Sequence, residues 1–382
     1  MNPPANVLWE SGRAEPIAAR IAVAGDFLPC GKLTIPPGGW REAVDPLSGH
    51  FSEIEAAFLN LECPVGVERL APRTLTGLGD IVSAPMAALD YMEALRARVV
   101  GFANNHSYDF GGAGVERTLS AIAQRGVVPL GAGKTLREDP DAFVWQGPYR
   151  IRVGFWAAAR ASHDIATRAR RGVEPANIAR AHAACEILRR AGAAFSIALL
   201  HCGCIRASRP DPGDARLMDA IAECGFDVVA ASHSHRISGA KVIVRESRSP
   251  RFCFYGLGSI VSGFVASPLE REGLLVVAGL HADGALARIE VRPVLLAENG
   301  FGAVPSADMA QEILGRFRAL SQEISDGSAA RRFYGEISRG LGGLYWRDAS
   351  AALRASGLRG LIRKVGRVRM RHVRRLVYGR IK

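Results

Sequence analysis

Short apolar runs alternate along this chain with segments of helical spacing. Arg20–Ala24, Ala57–Leu61, Val99–Ala103, Val127–Leu130, Phe195–Leu200 and Phe226–Ala231 are apolar and end in turn-forming or polar residues, a pattern that predicts buried strands. Between them the spacing predicts helices over Ser52–Ala56, from a Ser83 cap to about Arg96, and over Ala113–Arg125, Pro175–Arg190 and Asp214–Cys224. Ala142–Gln146 and Arg150–Ala157 flank Gly147-Pro148 and read as a hairpin. Lys241–Arg245 and Arg251–Tyr255 add β segments, and Gly273–Leu280 with Leu286–Leu295 flank Asp283-Gly284, a favoured hairpin turn. Residues 1–19 read as an irregular lead-in, 29–50 as mostly loop, and 305–348 as helical. The order predicts an α/β protein of packed mixed sheets with helices outside. It divides into a domain over 1–300, a helical cover over 301–350 and a tail over 351–382, with no internal repeat.

Composition narrows the class. With 382 residues, 48% hydrophobic and 23% charged, the chain is globular and can bury a large core. No apolar run reaches the roughly eighteen residues of a membrane-spanning helix. The opening MNPPANVLWESGRAEP lacks an apolar core, so a signal peptide is not expected. The seven cysteines are odd in number and scattered, which fits reduced thiols and a cytoplasmic setting. Cys202-Gly-Cys204 lacks the second pair that a structural zinc site needs. The net charge of +12 is local: Arg354–Lys382 holds eleven Lys or Arg and no Asp or Glu, leaving 38 basic against 37 acidic residues elsewhere.

Candidate chemistry stands where the strands end. Val99–Ala103 runs into Asn104-Asn105-His106, then Asp109 and a Gly pair. Asp26 follows the first strand, Glu62 the second, His201 the Phe195 strand, and His233 and His235 the Phe226 strand. Each residue alone has a bland explanation as a cap, a turn or a core side chain, and the remaining histidines (His50, His163, His182, His281, His372) have only that one. Together, five strands deliver oxygen or imidazole groups to one end, where parallel strands would bring them together. Two carboxylates, an amide oxygen and three imidazoles suit Mn, Fe or Zn better than Ca. Shared by two metals, such a set serves in-line displacement at phosphorus.

AGDFLP, NLECPV, GFANNHSYDFGGAG, PLGAG, LLHCG, GFDVVAASHSH and FYGLGSI resemble the motifs of the capsule-synthesis CapA family, linked to poly-γ-glutamate and capsule production, over residues 20–265. That family is similar to the calcineurin-like metallophosphoesterases. The resemblance implies a four-layer α/β-β/α sandwich with a metal cleft holding one or two divalent cations. It implies Asp26 and His235 on one metal, Glu62 bridging, and Asn105, His201 and His233 on the second. His106 would be the acid or transition-state stabiliser, oriented by Asp109. The wider superfamily carries a His where this chain has Leu28 and an Asp bridge where it has Glu62. The CapA branch commonly carries Trp and Glu where Cys202 and Ile205 stand here, and Gly where Ser232 stands.

The resemblance implies a metal-dependent hydrolase acting in the biosynthesis of capsule, poly-γ-glutamate or another cell-surface polymer, with an anionic polymer or a phosphoester as substrate. The alternative is a non-catalytic accessory of a membrane-associated synthesis or export complex. In Gly357–Lys382, apolar residues recur at three- and four-residue steps among arginines, which predicts a basic amphipathic helix. It would pack on the body, lie on an anionic membrane surface at the inner face, or bind a polyanion. Its single aromatic residue, Tyr378, argues against specific nucleic-acid binding.

Overall fold

The computed structural model describes residues 6–73, 81–160, 162, 164–246 and 248–338. In chain order these form β1 (Asn6–Glu10), β2 (Ala19–Gly31), α1 (Gly39–Glu42), α2 (Ser48–Phe51), β3 (Ala56–Leu61), α3 (Ala88–Ala94), β4 (Ala97–Gly101), α4 (Gly111–Gln124), β5 (Val128–Leu130) and β6 (Ala132–Lys134). There follow β7 (Ala142–Gln146), β8 (Arg152–Ala159), β9 (Gly172–Val173), α5 (Ile178–Arg190), β10 (Phe195–His201), α6 (Pro212–Cys224), β11 (Val228–Ser232), β12 (Ala240–Arg245) and β13 (Arg248–Phe254). The described part closes with β14 (Ser259–Gly263), β15 (Glu272–Leu280), β16 (Leu286–Leu296), β17 (Gly302–Ala303), α7 (Ala307–Ser325) and a further helical stretch over 328–338.

Two mixed sheets carry the fold. The first runs β1-β16-β15-β2-β3-β4-β5, with β14 added alongside β2 and β17 alongside β16. Within it β14, β2, β3, β4 and β5 are parallel, and β15, β16 and β1 are antiparallel. The second runs β12-β13-β11-β10-β8-β7, parallel over β13, β11, β10 and β8 with antiparallel edges. A short ribbon, β6 with β9, stands apart.

The sheets pack face to face. Phe58 of β3 meets Phe155 of β8 edge-on, with centroids 5.1 Å apart. Gly101 of β4 lies so close to β8 that an added Cβ would sit 3.2 Å from the Ala157 Cβ. Outside the first sheet, Tyr91 of α3 stacks on Phe27 of β2, and Trp40 of α1 meets Phe301. Outside the second, α5 and α6 bury Ala184, Leu188, Met218 and Ile221 around Trp156 and Phe226. Helices, sheet, sheet and helices make the expected four layers. Because β3, β10 and β11 are buried along their whole length, they read as apolar runs rather than alternating ones.

Several expectations need correction. The lead-in contains β1, which pairs with the distant β16. β2 does not stop at Gly25-Asp26, because β14, which carries no strong local strand signal, pairs with it from Asp26 to Gly31. Gly25 makes that pairing feasible: a Cβ there would fall 2.0 Å from the Gly258 carbonyl oxygen, which accepts a hydrogen bond from the Asp26 N–H at 3.0 Å. Ser52–Ala56 is not a helix; a single turn forms earlier, at α2, within the segment read as loop. The helix expected from Ser83 begins only at Ala88, since Ala84 is held in a bridge to Val65 and hydrogen-bonded to Pro64 and Gly66. The loop residues 74–80, the end of the helical cover and the basic tail lie outside the described residues.

His50 provides a test of the core. It is fully buried, its Nε2 lies 2.8 Å from the Pro293 carbonyl oxygen, and burial pushes its imidazole down to about 4. A depressed histidine contributes stability that is complete above the unfolded value of about 6.5 and is lost as pH falls toward 4. The protein should therefore lose about 3 kcal/mol across that window. Urea unfolding at several pH values should show this limb, and His50→Gln should flatten it.

Candidate metal centre

Five strands bring the site together at the C-terminal edges of the two sheets. β2 supplies Asp26, β3 leads into Glu62, and β4 leads into Asn105 and His106. Across the interface β10 ends at His201, and β11 leads into His233 and His235. Asp26, Glu62 and His201 are completely or almost completely shielded from solvent, and His233 is buried.

Two groups form, and Glu62 belongs to both. Glu62, His201 and His233 present ligand atoms within 4.8 Å of one another, and so do Asp26, Glu62 and His235. His201 Nε2 lies 3.4 Å from Glu62 Oε1, and His235 Nδ1 lies 3.1 Å from Asp26 Oδ2 and 3.7 Å from Glu62 Oε2. The His201 and His233 rings are 4.5 Å apart. Asn105 Oδ1 abuts His201 Nε2 at 2.5 Å. All six candidate ligands therefore converge.

The electrostatics of this cluster are unbalanced. Neither Glu62 oxygen has a hydrogen-bond donor, although both are buried. Burial, then the adjacent Asp26 charge, raises the Glu62 carboxyl well above its ordinary range. Burial would raise Asp26 too, but the His235 hydrogen bond, the nearby imidazoles and the His233 N–H outweigh it and hold that carboxyl low. Burial, then the neighbouring His233, lowers His201 far below the usual imidazole value, so it stands neutral. Paired buried carboxylates facing imidazoles are the donor set of a divalent transition metal. Glu62, a buried acceptor without a donor, is the kind of group that a cation satisfies.

His106 stands apart from the ligand groups. Its Nδ1 meets Asp109 Oδ2 at 2.9 Å, and the Val82 N–H donates to that same oxygen at 2.9 Å. Asp109 is thus fixed from two sides, and the imidazole is left with Nε2 for chemistry.

Two amides that tie the cluster together were missed in the sequence. Asn60 Nδ2 donates to Asp26 Oδ1 at 2.8 Å and lies 3.3 Å from His201 Nδ1. Asn104 Nδ2 donates to Asn60 Oδ1 at 3.2 Å and to the Leu61 carbonyl at 2.7 Å, while its Oδ1 accepts from the His106 N–H at 3.1 Å. Asn60 lies on the same face of β3 as Phe58, against the second sheet. An amide inside an otherwise apolar buried strand is the signal that would have found it. Ser232 and Ser259 add hydroxyls at 3.3 Å from His201 Nδ1 and 3.4 Å from His235 Nδ1. The other described histidines stay outside: His50 and His281 are in the core and His182 is exposed, while His163 and His372 lie outside the described residues.

Residues 20–263 match the family model of the bacterial capsule synthesis protein PGA_cap. The chain belongs to this family. The capsule biosynthesis protein CapA of Bacillus anthracis is 25% identical over 238 residues, which is 60% of this chain and 54% of that protein. A probable polyglutamine synthesis accessory protein of Mycobacterium tuberculosis is 30% identical over 184 residues, 45% of this chain and 47% of that one. The chain spans about half the length of these curated relatives. Among solved structures, a 5'-nucleotidase precursor from Thermus thermophilus aligns at 15% identity and a TM-score of 0.45, covering 81% of this chain and 59% of that one. The calcineurin-like phosphoesterase YfkN from Bacillus subtilis aligns at 11% identity and a TM-score of 0.42, covering 80% of this chain and 98% of that one. The PGA_cap match ends at β14, so it includes every residue of the cluster.

Backbone strain sits on two of the candidate ligands. His233 has φ 107° and His235 φ 56°, conformations that favour glycine. In chelator, His233→Gly should unfold at a temperature no lower than the parent, because relief of strain offsets the extra freedom of glycine in the unfolded chain. Asn60→Leu should do the opposite. Leaving Asp26 and Asn104 short of partners should cost about 2 kcal/mol or more, measured by urea unfolding.

Proposed function

We propose that this PGA_cap protein is a metal-dependent hydrolase acting on an anionic capsular or other cell-surface polymer, or on a phosphoester in its synthesis. The observation that supports this is Glu62, one buried carboxylate shared by two imidazole and carboxylate groups. Asp26 and His235 would hold one divalent cation with Glu62, and His201, His233 and Asn105 the other. The imidazole-rich set favours Mn, Fe or Zn. Such cations supply Lewis-acid polarisation and a nucleophilic water at neutral pH. The chain's own residues do the rest. Asp109 orients His106, and His106 delivers a proton from Nε2 to the leaving-group oxygen. Asn60 and Asn104 keep the ligand cluster and the His106 backbone in one hydrogen-bonded frame. The buried walls of the two sheets limit water around the reacting atoms.

A second reading has the same fold as an accessory subunit of a membrane-associated synthesis or export complex. It is favoured by Leu28, an apolar residue buried on β2 two positions after Asp26, which offers no ligand.

Elemental analysis of the purified protein should find at least one transition metal per chain. His233→Ala should remove it without unfolding the protein. His106→Ala should keep the metal and lower turnover of a generic phosphodiester by about 10²–10⁴. Metal loss in the His106 variant would make that residue a ligand. A metal-loaded protein with no turnover on phosphodiester, ester or amide substrates would favour the accessory reading.

A further inference from the structure

Two pairs of arginines stand at the same edge of the sheets as the cluster, and each pair shares one oxygen of a buried carboxylate. In the loop after β8, Asp164 Oδ1 lies 2.8 Å from Arg73 Nη1 and 3.5 Å from Arg170 Nη1. After β14, Glu270 Oε1 lies 3.3 Å from Arg206 Nε and 3.5 Å from Arg236 Nη2. One guanidinium would neutralise each acid, so each pair leaves positive charge over. Arg171, bonded to the Gly133 carbonyl at 3.0 Å, adds to the first surplus and acts with Arg170 on the Tyr108 phenol. Around the second pair, Glu336 and Glu323 are taken up by Arg209, and Glu323 also by Arg332, so four arginines face three glutamates. The side chains of Arg73, Arg170 and Arg206 are 38–56% exposed. Both bonds of Arg73, to Asp164 and to the Tyr108 carbonyl, come from Nη1, which leaves Nη2 and Nε to face a ligand. Arginines fixed in this way on buried acids are preorganised for anions.

The pairs lie on opposite flanks of the cluster. In the first sheet the parallel strands run β14-β2-β3-β4, and across the interface β4 faces β8, β3 faces β10 and β2 faces β11. Arg73 belongs to the β4 flank: its N–H donates at 2.8 Å to the carbonyl of Asp109, the residue that orients His106. Arg206 and Arg236 belong to the β11 and β14 flank. Arg236 follows His235, and the Arg206 N–H donates at 2.9 Å to the carbonyl of Ser234, between the two histidines. Three strand spacings from β4 to β14 set the flanks roughly 15 Å apart. An extended chain covers that distance in about four or five residues. A lone phosphate or carboxylate reaches one flank only. A linear polyanion reaches both, and its middle then passes over the cluster.

We propose that Arg73 with Arg170, and Arg206 with Arg236, are the two ends of a polyanion groove. A linear chain with recurring carboxylate or phosphate groups lies between them and presents an internal bond to the cluster. Cutting that bond rests on the hydrolase reading above; holding the chain does not. The cut adds one water, its hydroxyl to the carbonyl or phosphorus and its proton to the leaving group, and yields two shorter chains.

In chelator, the full-length protein should bind a labelled ten-unit oligoglutamate or polyphosphate about tenfold or more tightly than the three-unit form, read by fluorescence anisotropy, because only the longer chain reaches both pairs. Whichever of the two gains from length names the anion. Arg170→Gln and Arg206→Gln each leave one arginine on the buried carboxylate and should fold as the parent. Each should weaken binding of the ten-unit chain about tenfold and remove most of the gain from length. Arg190→Gln, at the end of α5 on the opposite edge, should bind as the parent. Equal affinity of the parent for three- and ten-unit chains of both kinds would overturn the proposal, even if a variant failed to fold. So would unchanged binding in both folded variants, or an equal loss in Arg190→Gln, which would assign the effect to net charge. With metal restored, a ten-unit chain cut near its middle supports the internal placement, and release of single units from one end overturns it. Length-dependent binding with no cut would count against the hydrolase reading and in favour of the groove alone.

Discussion

Asp26 and Glu62 lie side by side at the meeting point of two sheets, both shut away from water. Two carboxylates in such a place repel each other and lose their hydration. The surrounding atoms respond unequally. Asp26 collects the Asn60 amide, the His233 N–H and the His235 ring, and remains ionised. Glu62 has no hydrogen-bond donor on either oxygen, and burial, with the Asp26 charge, raises its carboxyl well above the ordinary range. Much of the local design follows from this asymmetry. The loop after β11 must bend through two left-handed histidines to reach Asp26, and β2 must contain Gly25 so that the loop before β14 can come close.

The layered fold was largely legible because its central strands are buried on both faces and therefore read as unbroken apolar runs. The hairpins and the helices α4, α5 and α6 carry equally local signals. What escaped depends on distant partners. β1 exists because β16 offers it an edge, and β14 because β2 does. The late start of α3 reflects a bridge from Ala84 to Val65 rather than any weakness of helical spacing. In the cluster, the side chains that advertise chemistry were visible, as acids and imidazoles after strands. Asn60 was not, because one amide inside AFLNL looks like an interruption of a core strand until the facing sheet shows what it bonds.

Asn60 and Asn104 also explain how separate elements act as one unit. The pair reaches Asp26 on β2, His201 on β10, the Leu61 carbonyl on β3 and the backbone of His106 after β4. An amide can donate and accept at once, so two of them join four strands without adding a charge to a place already crowded with it. The ion pairs of Arg206, Arg209 and Arg236 with Glu270, Glu323 and Glu336 brace the outer loops, and being nearer the surface they have less effect on the cluster's charge.

The hydrogen bond from the His233 N–H to Asp26 joins residues 207 positions apart. During synthesis at about 5–20 residues per second, roughly ten to forty seconds separate the two ends of that contact. Until β10 delivers His201, Asp26 and Glu62 exist as a pair of acids with no imidazole from the second sheet. An emerging chain therefore holds the oxygen groups of the cluster first, and its imidazoles join as β10 and then β11 dock. The order in which the strands appear is thus also an order of donor chemistry: every imidazole of the two groups belongs to the half of the chain made last.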